Sequence, residues 1–299
     1  ETTIPAKKAA DIIRELPEGQ VSFELNEESS KLTVKSSSGK YNLSTIPGSD
    51  FPDFDVIKSD TTHKITPNTL YELFLKTSFA MANQDWRHYL NGCLFEKTGS
   101  SINMVATDAH RLAIYKSNLE GEGDFTGIVP RKTVIELMKI LPKQEDEIEF
   151  YINSNNIVFM SKKFTFKSKL IDGNYPNYNQ VVPQGEGSKI TFNRKNMLDS
   201  LSRVSVLTSE KFKGVKLKTE SGVLDISAHN PDQESAEEKL DVTSAGNEFD
   251  IAFNVNYLKE VLGTIDEEEI SLISFGSDKS ALVESGDSNQ VLVLMPLLL

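Results

Sequence analysis

Two helix-plus-strand patterns recur along the chain at almost equal spacing, and this repeat limits the fold more than any other feature. One pattern opens at Pro5-Ala6-Lys7-Lys8, with a helix to Leu16, strands, and then Phe51-Pro52-Asp53-Phe54. It opens again at Pro130-Arg131-Lys132, with a helix to Leu141, strands, and Asn174-Tyr175-Pro176-Asn177-Tyr178. A third copy opens at Asn254-Val255-Asn256-Tyr257, with a helix to Ile265 and strands after it. These starts lie 125 and 124 positions apart. The second pattern fills the gaps. Ile65-Thr66-Pro67-Asn68 opens a helix to about Met81, followed by Leu90-Asn91-Gly92; Ile190-Thr191-Phe192-Asn193 opens one to about Leu207, followed by Phe212-Lys213-Gly214. These two starts are also 125 apart. A period this long suits a whole domain rather than a solenoid unit. The expected fold is α+β, built from repeated helix-plus-antiparallel-sheet units in two-part domains. Three copies are expected: the back half of a first domain over 1–60, a second domain over 61–187 and a third over 188–299. A missing front half would place about 60 further residues before Glu1, by the same domain-length reasoning.

The helices carry an uneven share of charge. The net charge is −12, from 44 acids and 32 bases. That argues against a nucleic-acid binder coated in positive charge. Yet the five expected helices hold eleven bases against six acids, which leaves −17 on the rest. Helices at equivalent places in a repeat face the same way, so a basic lining inside an acidic protein is one reading. The plainer one is that Lys and Arg are good helix formers on solvated faces. Within the helix that starts at Pro130, with proline in the first turn, Val134, Ile135, Met138 and Leu141 are expected to share the apolar face. No apolar run approaches the ~20 residues of a membrane-spanning helix. The single cysteine, Cys93, excludes an internal disulfide and fits a reducing cytoplasm.

The densest ionisable cluster is Thr107-Asp108-Ala109-His110-Arg111-Leu112, flanked by the strand-like runs Ile102–Ala106 and Leu112–Tyr115. A tight reversal between antiparallel strands is expected there. Asp108, His110 and Arg111 could do chemistry, hold a turn or line a surface. An acid and a histidine two residues apart are a weak catalytic signal. His63, His88 and His229 complete no metal-ligand spacing, and no phosphate-binding glycine loop or nucleophile elbow is present. No enzyme activity, cofactor or metal is expected; Asp in a turn usually binds its own backbone. Val291 to Leu299 is apolar, and Val291 and Val293 alternate as in an edge strand.

Several motifs together carry a resemblance: Tyr89-Leu90-Asn91-Gly92, Ala106 to Ala113, Val129-Pro130-Arg131-Lys132 with Val134 to Met138, Asp172 to Val181, Glu210 to Val215, Phe253-Asn254-Val255 and Met295-Pro296. In these the chain resembles the sliding-clamp family, the β subunits of bacterial DNA polymerase III, over nearly its whole length. The resemblance implies a DNA-clamp fold of three similar domains per chain. Two chains would close head-to-tail as a homodimer ring around duplex DNA, without sequence preference, as a processivity factor. It implies a groove for short peptide motifs of DNA polymerase subunits, the clamp loader and repair proteins. By that resemblance the groove positions are Leu90, Thr107, His110, Arg111, Leu112, Pro176, Val181, Asn254, Tyr257, Ser280, Val293, Met295, Pro296 and Leu297, with Leu112 as the foremost partner contact. The DNA-facing positions would be Lys7, Arg14, Gln84, Tyr89, Arg131, Lys139, Arg194 and Arg203. The subunit contact would set Tyr41 and Leu43 against Val206 and Leu207 of the other chain. The sequence departs from the family at Ala109, where glycine is common, at His88, where an aromatic is common, and at Gln180 and Leu298, where arginine stands in well-known members. These departures imply a less charged groove. A scaffold that never meets DNA is the alternative by class.

Overall fold

The computed structural model describes residues 1–51, 61–209, 211, 213–220, 222–245 and 250–297. Pro52, Asp53, Phe54, Glu210, Phe212 and Leu298, quoted above, lie outside the described residues. The chain divides into two compact units, Glu1–Ile57 and Lys58–Leu299.

In the first unit, α1 (Ala6–Glu15) packs on a three-stranded antiparallel sheet of Ser22–Asn26, Lys31–Lys35 and Lys40–Ser44. Alternation along the strands puts Leu32, Val34 and Leu43 on one face, where Ile4, Ala9, Ile12 and Val21 cover them. Leu43 is 6% exposed, its side chain spent on this small core. Tyr41, two residues earlier on the same face, stays exposed.

The second unit contains α2 (Pro67–Leu75), α3 (Arg131–Ile140), α4 (Arg194–Val204) and α5 (Val255–Gly263). A nine-stranded sheet runs in the order Phe125–Pro130, Gly92–Thr98, Ser101–Thr107, Arg111–Asn118, Gln290–Leu294, Ala281–Glu284, Glu269–Ser274, Ser188–Asn193 and Thr243–Ala245. Two four-stranded sheets accompany it, one of Thr165–Lys169, Asn156–Met160, Ile148–Ile152 and His63–Ile65, the other of Ser235–Asp241, Val223–His229, Gly214–Glu220 and Asp250–Asn254. The large core gathers residues of all four helices, including Leu70, Leu137, Leu201 and Leu258, with one set of strand residues. A second cluster of Leu94, Val105, Leu112, Ile114, Ile128 and Val293 uses the alternate strand residues.

The sequence repeat reappears as repeated hydrogen bonding. Gly92 pairs opposite Pro130, and the Arg131 amide donates to the Asn91 carbonyl at 2.9 Å. One repeat later Gly214 pairs opposite Asn254, and the Val255 amide donates to the Lys213 carbonyl at 2.8 Å. Each helix is therefore launched from the strand before it by the same clamp. At Gly92 the approach is so close that a Cβ would lie 2.4 Å from the Val129 carbonyl oxygen.

Four local expectations need correction. Pro130 is the cap of α3 rather than a first-turn residue. On α3 the buried face is Thr133, Val134 and Leu137, continuing to Leu141, whereas Ile135 is 38% exposed; the spacing of 133, 134, 137 and 141 follows 3.6 residues per turn more closely. The helix α2 starts at its Thr66 cap, whose hydroxyl accepts from the Thr69 amide, but stops at Leu75 instead of reaching Met81. The Thr77 hydroxyl donates back to the Leu73 carbonyl, and Lys76 is drawn to the Thr264 carbonyl and Asp266. Finally, Gln290–Leu294 is no edge strand: it lies between Ala281–Glu284 and Arg111–Asn118. A strand buried on both faces reads as a continuous apolar run, and Val291–Leu294 is one.

Candidate binding site at the Thr107–Leu112 hairpin

Strands Ser101–Thr107 and Arg111–Asn118 meet at a three-residue turn, as the flanking apolar runs predict. Asp108 builds the turn: Oδ1 accepts the His110 and Arg111 amides at 2.9 and 3.0 Å, and Oδ2 accepts Arg111 Nε at 3.2 Å. The Thr107 hydroxyl donates to the Arg111 carbonyl and accepts the Ala109 amide. Ala109 sits at φ 74°, a left-handed conformation that glycine adopts at less cost. With both carboxylate oxygens engaged, Asp108 serves as a brace for the turn.

Arg111 is a buried strut. It is 7% exposed, and its guanidinium pairs with Glu260 on α5, donates from Nη2 to the Phe79 carbonyl at 2.7 Å, and lies over the Tyr257 and Phe79 rings at 4.6 and 5.3 Å. It thereby ties the hairpin of one repeat to the last helix of the next. His110 is exposed and stacks on Tyr257, centroids 5.6 Å apart. Burial, followed by the charge of Asp108, pushes the Tyr257 phenol up. Asn254 caps α5, accepting the Asn256 and Tyr257 amides, and so sets Tyr257 in place. Lys76, 8% exposed, makes a parallel tie through Thr264 and Asp266.

The chain's C-terminal segment completes the site. Leu112 pairs with Val293, the Met295 amide donates to the His110 carbonyl at 2.8 Å, and the Leu297 amide donates to the Ala252 carbonyl at 2.7 Å. Across it, Ser280 Oγ donates to the Val181 carbonyl at 3.2 Å. Tyr175, Tyr178 and Val182 pack against the Leu112–Val293 cluster. Burial, followed by Glu96, raises the Tyr178 phenol, whose hydroxyl donates to Glu96 at 2.5 Å. Val181 and Met295 are 48% and 39% exposed; Pro176 and Gln180 are exposed too, and Pro296 and Leu297 are half-buried.

The structure thus brings most of the expected groove positions together but sorts them by depth. Leu90, Leu112 and Val293 are each 2% exposed, so Leu112 lies beneath the surface. Arg111 is likewise withdrawn from the surface. Their partners, distant in sequence and so invisible at the level of local motif, account for the difference. Sequence reading also missed Phe79 and Glu260, which hold Arg111. It missed the buried Lys97, whose ammonium donates to the carbonyls of Gly99, Gly121 and Gly123. Nor did it single out Trp86, 82% exposed beside Arg87. Asp85, bound by the Arg87 side chain and amide, has its carboxyl held down at about 2.

The expected DNA-facing positions divide similarly. Lys7, Arg14, Gln84, Lys139 and Arg203 are exposed, while Tyr89, Arg131 and Arg194 are half-buried. Arg131 Nη1 donates to the Met81 carbonyl and Arg194 Nε to the Glu267 carbonyl. Arg14, Lys139 and Arg203 pair with Asp11, Glu136 and Glu238. Val206 is 77% exposed and Leu207 is half-buried in the short 3-10 turn after α4.

Comparison with known proteins gives consistent matches over the chain. Residues 1–55, 64–177 and 179–298 match the N-terminal, central and C-terminal domains of the DNA polymerase III beta subunit. The chain is 38% identical to the beta sliding clamp of Pseudomonas aeruginosa over 300 residues, covering 99% of this chain and 82% of that one. It is 39% identical to the beta sliding clamp of Escherichia coli, covering 99% and 81%. A crystal structure of the Pseudomonas aeruginosa DNA polymerase III subunit beta superposes with a TM-score of 0.92 at 38% identity, over 100% of this chain and 82% of that one.

Proposed function

Since the chain belongs to the bacterial β sliding-clamp family, DNA polymerase processivity factors that are not enzymes, we propose that it encircles duplex DNA as a head-to-tail homodimer and holds partners by short peptides at the Thr107–Leu112 hairpin. The partners are polymerase subunits, the clamp loader and repair proteins. One observation carries the docking reading. The exposed apolar side chains of Val181 and Met295 flank a buried apolar floor, Leu112 paired with Val293, where two repeats meet. Burying one aliphatic or aromatic anchor contributes about 1.5–3 kcal/mol. Two anchors, less the cost of ordering a peptide, support weak and exchangeable binding. His110, Tyr257, Pro176, Pro296 and Leu297 form the rim in this reading, and Leu90, Arg111 and Asn254 support it from below.

The DNA reading rests on Lys7, Arg14, Lys139 and Arg203, exposed cations on helices. Three already have acidic partners, but exposed pairs of this kind contribute about 0–1 kcal/mol and yield readily to phosphate. Few phosphate contacts and no base readout give salt-dependent, sequence-independent affinity. Ring topology then retains the protein on DNA. Subunit closure uses Tyr41 of one copy against Val206 and Leu207 of another.

The decisive experiment compares retention on circular and linear DNA after loading. The clamp reading expects persistence on circles and loss from free ends; equal retention on both refutes it in favour of a scaffold. For docking, Met295→Ala is expected to lower partner affinity at least tenfold without unfolding the chain, and unchanged affinity refutes the groove.

A further inference from the structure

A partner's anchor can use the floor of this groove only by reaching Leu112 and Val293, and each of these is 2% exposed. The segment from Tyr178 to Val182 contributes to their cover, because Tyr178 and Val182 both pack on the cluster that contains them. Tyr178 is pinned from beneath through its hydroxyl bond to Glu96. Val181 is held differently. Its side chain faces outward, and its carbonyl is secured by Ser280 Oγ at 3.2 Å. Ser280 comes from the other repeat, immediately before the strand Ala281–Glu284, whose Leu282 pairs with Val293. Beside this segment lies a cavity of about 410 Å³, with Val182, Pro183, Leu282 and Val291 among its walls. Among the described residues the cover therefore has one side-chain catch across the repeat junction, with free volume next to it.

We propose that Ser280 is a positioning residue that latches the Tyr178–Val181 turn over Leu112, so that the groove is closed at rest and opens when this bond breaks. The proposal deepens the docking reading above and rests on it. A site that is open only part of the time binds with its intrinsic affinity scaled by the open fraction. Removing the catch raises that fraction. The bond is a single neutral one, so its loss shifts the equilibrium by roughly three- to tenfold. A serine that instead touched the bound peptide would have the opposite effect, since its removal would weaken binding.

Opening is measured without any partner. A thiol introduced by Leu112→Cys, in the full chain, reacts with a disulfide reagent at a rate set by the open fraction. Cys93, fully enclosed in the core, supplies a slow background. Ser280→Ala is expected to speed labelling at position 112 by about three- to tenfold, and Ser280→Thr, which keeps the hydroxyl, to restore the slow rate. Val293→Cys gives the same readout from the paired strand should the first position disturb folding. An unchanged labelling rate at both positions in Ser280→Ala overturns the latch. Because this assay uses no peptide, it separates a failed latch from a failed groove, which shows instead as unchanged partner affinity in Met295→Ala.

Discussion

Replacing Arg111 tests whether this residue is structural or a surface contact. In Arg111→Ala, the Phe79 carbonyl loses a charge-assisted bond, about 1.5–3 kcal/mol. Two rings lose a cation at 4.6 and 5.3 Å, about 0.5–1 kcal/mol each. The two acids respond unequally. Asp108, with its side chain 13% exposed, loses one partner but keeps two amide donors; Glu260, 51% exposed, is rehydrated. The usual 3–5 kcal/mol for stranding a buried charge is therefore cut to about 1 kcal/mol. The sum is about 3.5–6 kcal/mol. Arg111→Lys keeps a charge but cannot reach Asp108, Glu260 and Phe79 together with one ammonium, and is expected to lose about 2–3 kcal/mol. Urea denaturation followed by circular dichroism measures both, and hydrogen exchange of α5 amides localises the loss. Glu260→Ala alone should cost less than about 1 kcal/mol, as suits a half-exposed partner. If Arg111→Ala destabilises by under 1 kcal/mol while abolishing partner binding, Arg111 is a contact residue and the strut argument is wrong.

Other positions give independent checks. Ala109→Gly relieves a left-handed alanine at about 1–2 kcal/mol, less about 0.4–1 kcal/mol for the freer unfolded chain. The net gain of about 0.5–1 kcal/mol is readable as a higher urea midpoint; a loss would contradict the strain. His63 is 4% exposed between Phe125 and Phe150 with Nδ1 unbonded, and burial, then the Lys97 charge, holds its pKa below 6.5. The unfolded chain therefore takes up the proton first. Stability is full above pH 6.5 and falls as pH drops below it until the folded-state value is reached; His63→Phe should flatten that slope in pH-dependent urea melts. Lys97→Met removes three carbonyl bonds but also relieves the burial of a charge. The expected balance is a loss of about 2 kcal/mol, with faster amide exchange around Gly121 and Gly123, and unchanged exchange there would refute it.

The repeat was legible because its landmarks are glycines and helix caps at fixed separations. Gly92 is held to its register by the close approach of the Val129 carbonyl, and Gly214 stands at the matching register one repeat later. The Asp108 turn was legible for the same reason, since an aspartate bonding the next amides is local. Depth was not legible. Arg111 reads as a surface cation until Glu260, distant in sequence, comes to lie against it. Leu112 reads as an open contact until Val293 pairs with it. The tail looked like an edge strand because alternation of Val291 and Val293 does not reveal what lies beyond each flank. Lys97 gave no signal at all: its acceptors are backbone carbonyls, which every sequence possesses.

The pairing of Arg111–Asn118 with Gln290–Leu294 also has a consequence in time. On the ribosome, the hairpin strand emerges long before its neighbour, and its outer edge waits while the intervening chain is made. Contacts this far apart in sequence form late and slowly, and an unpaired apolar edge is open to pairing with another nascent chain. The nine-stranded sheet becomes continuous only with the arrival of Gln290–Leu294. A chain released before Gln290–Leu294 is made would leave Arg111–Asn118 exposed as a template for aggregation.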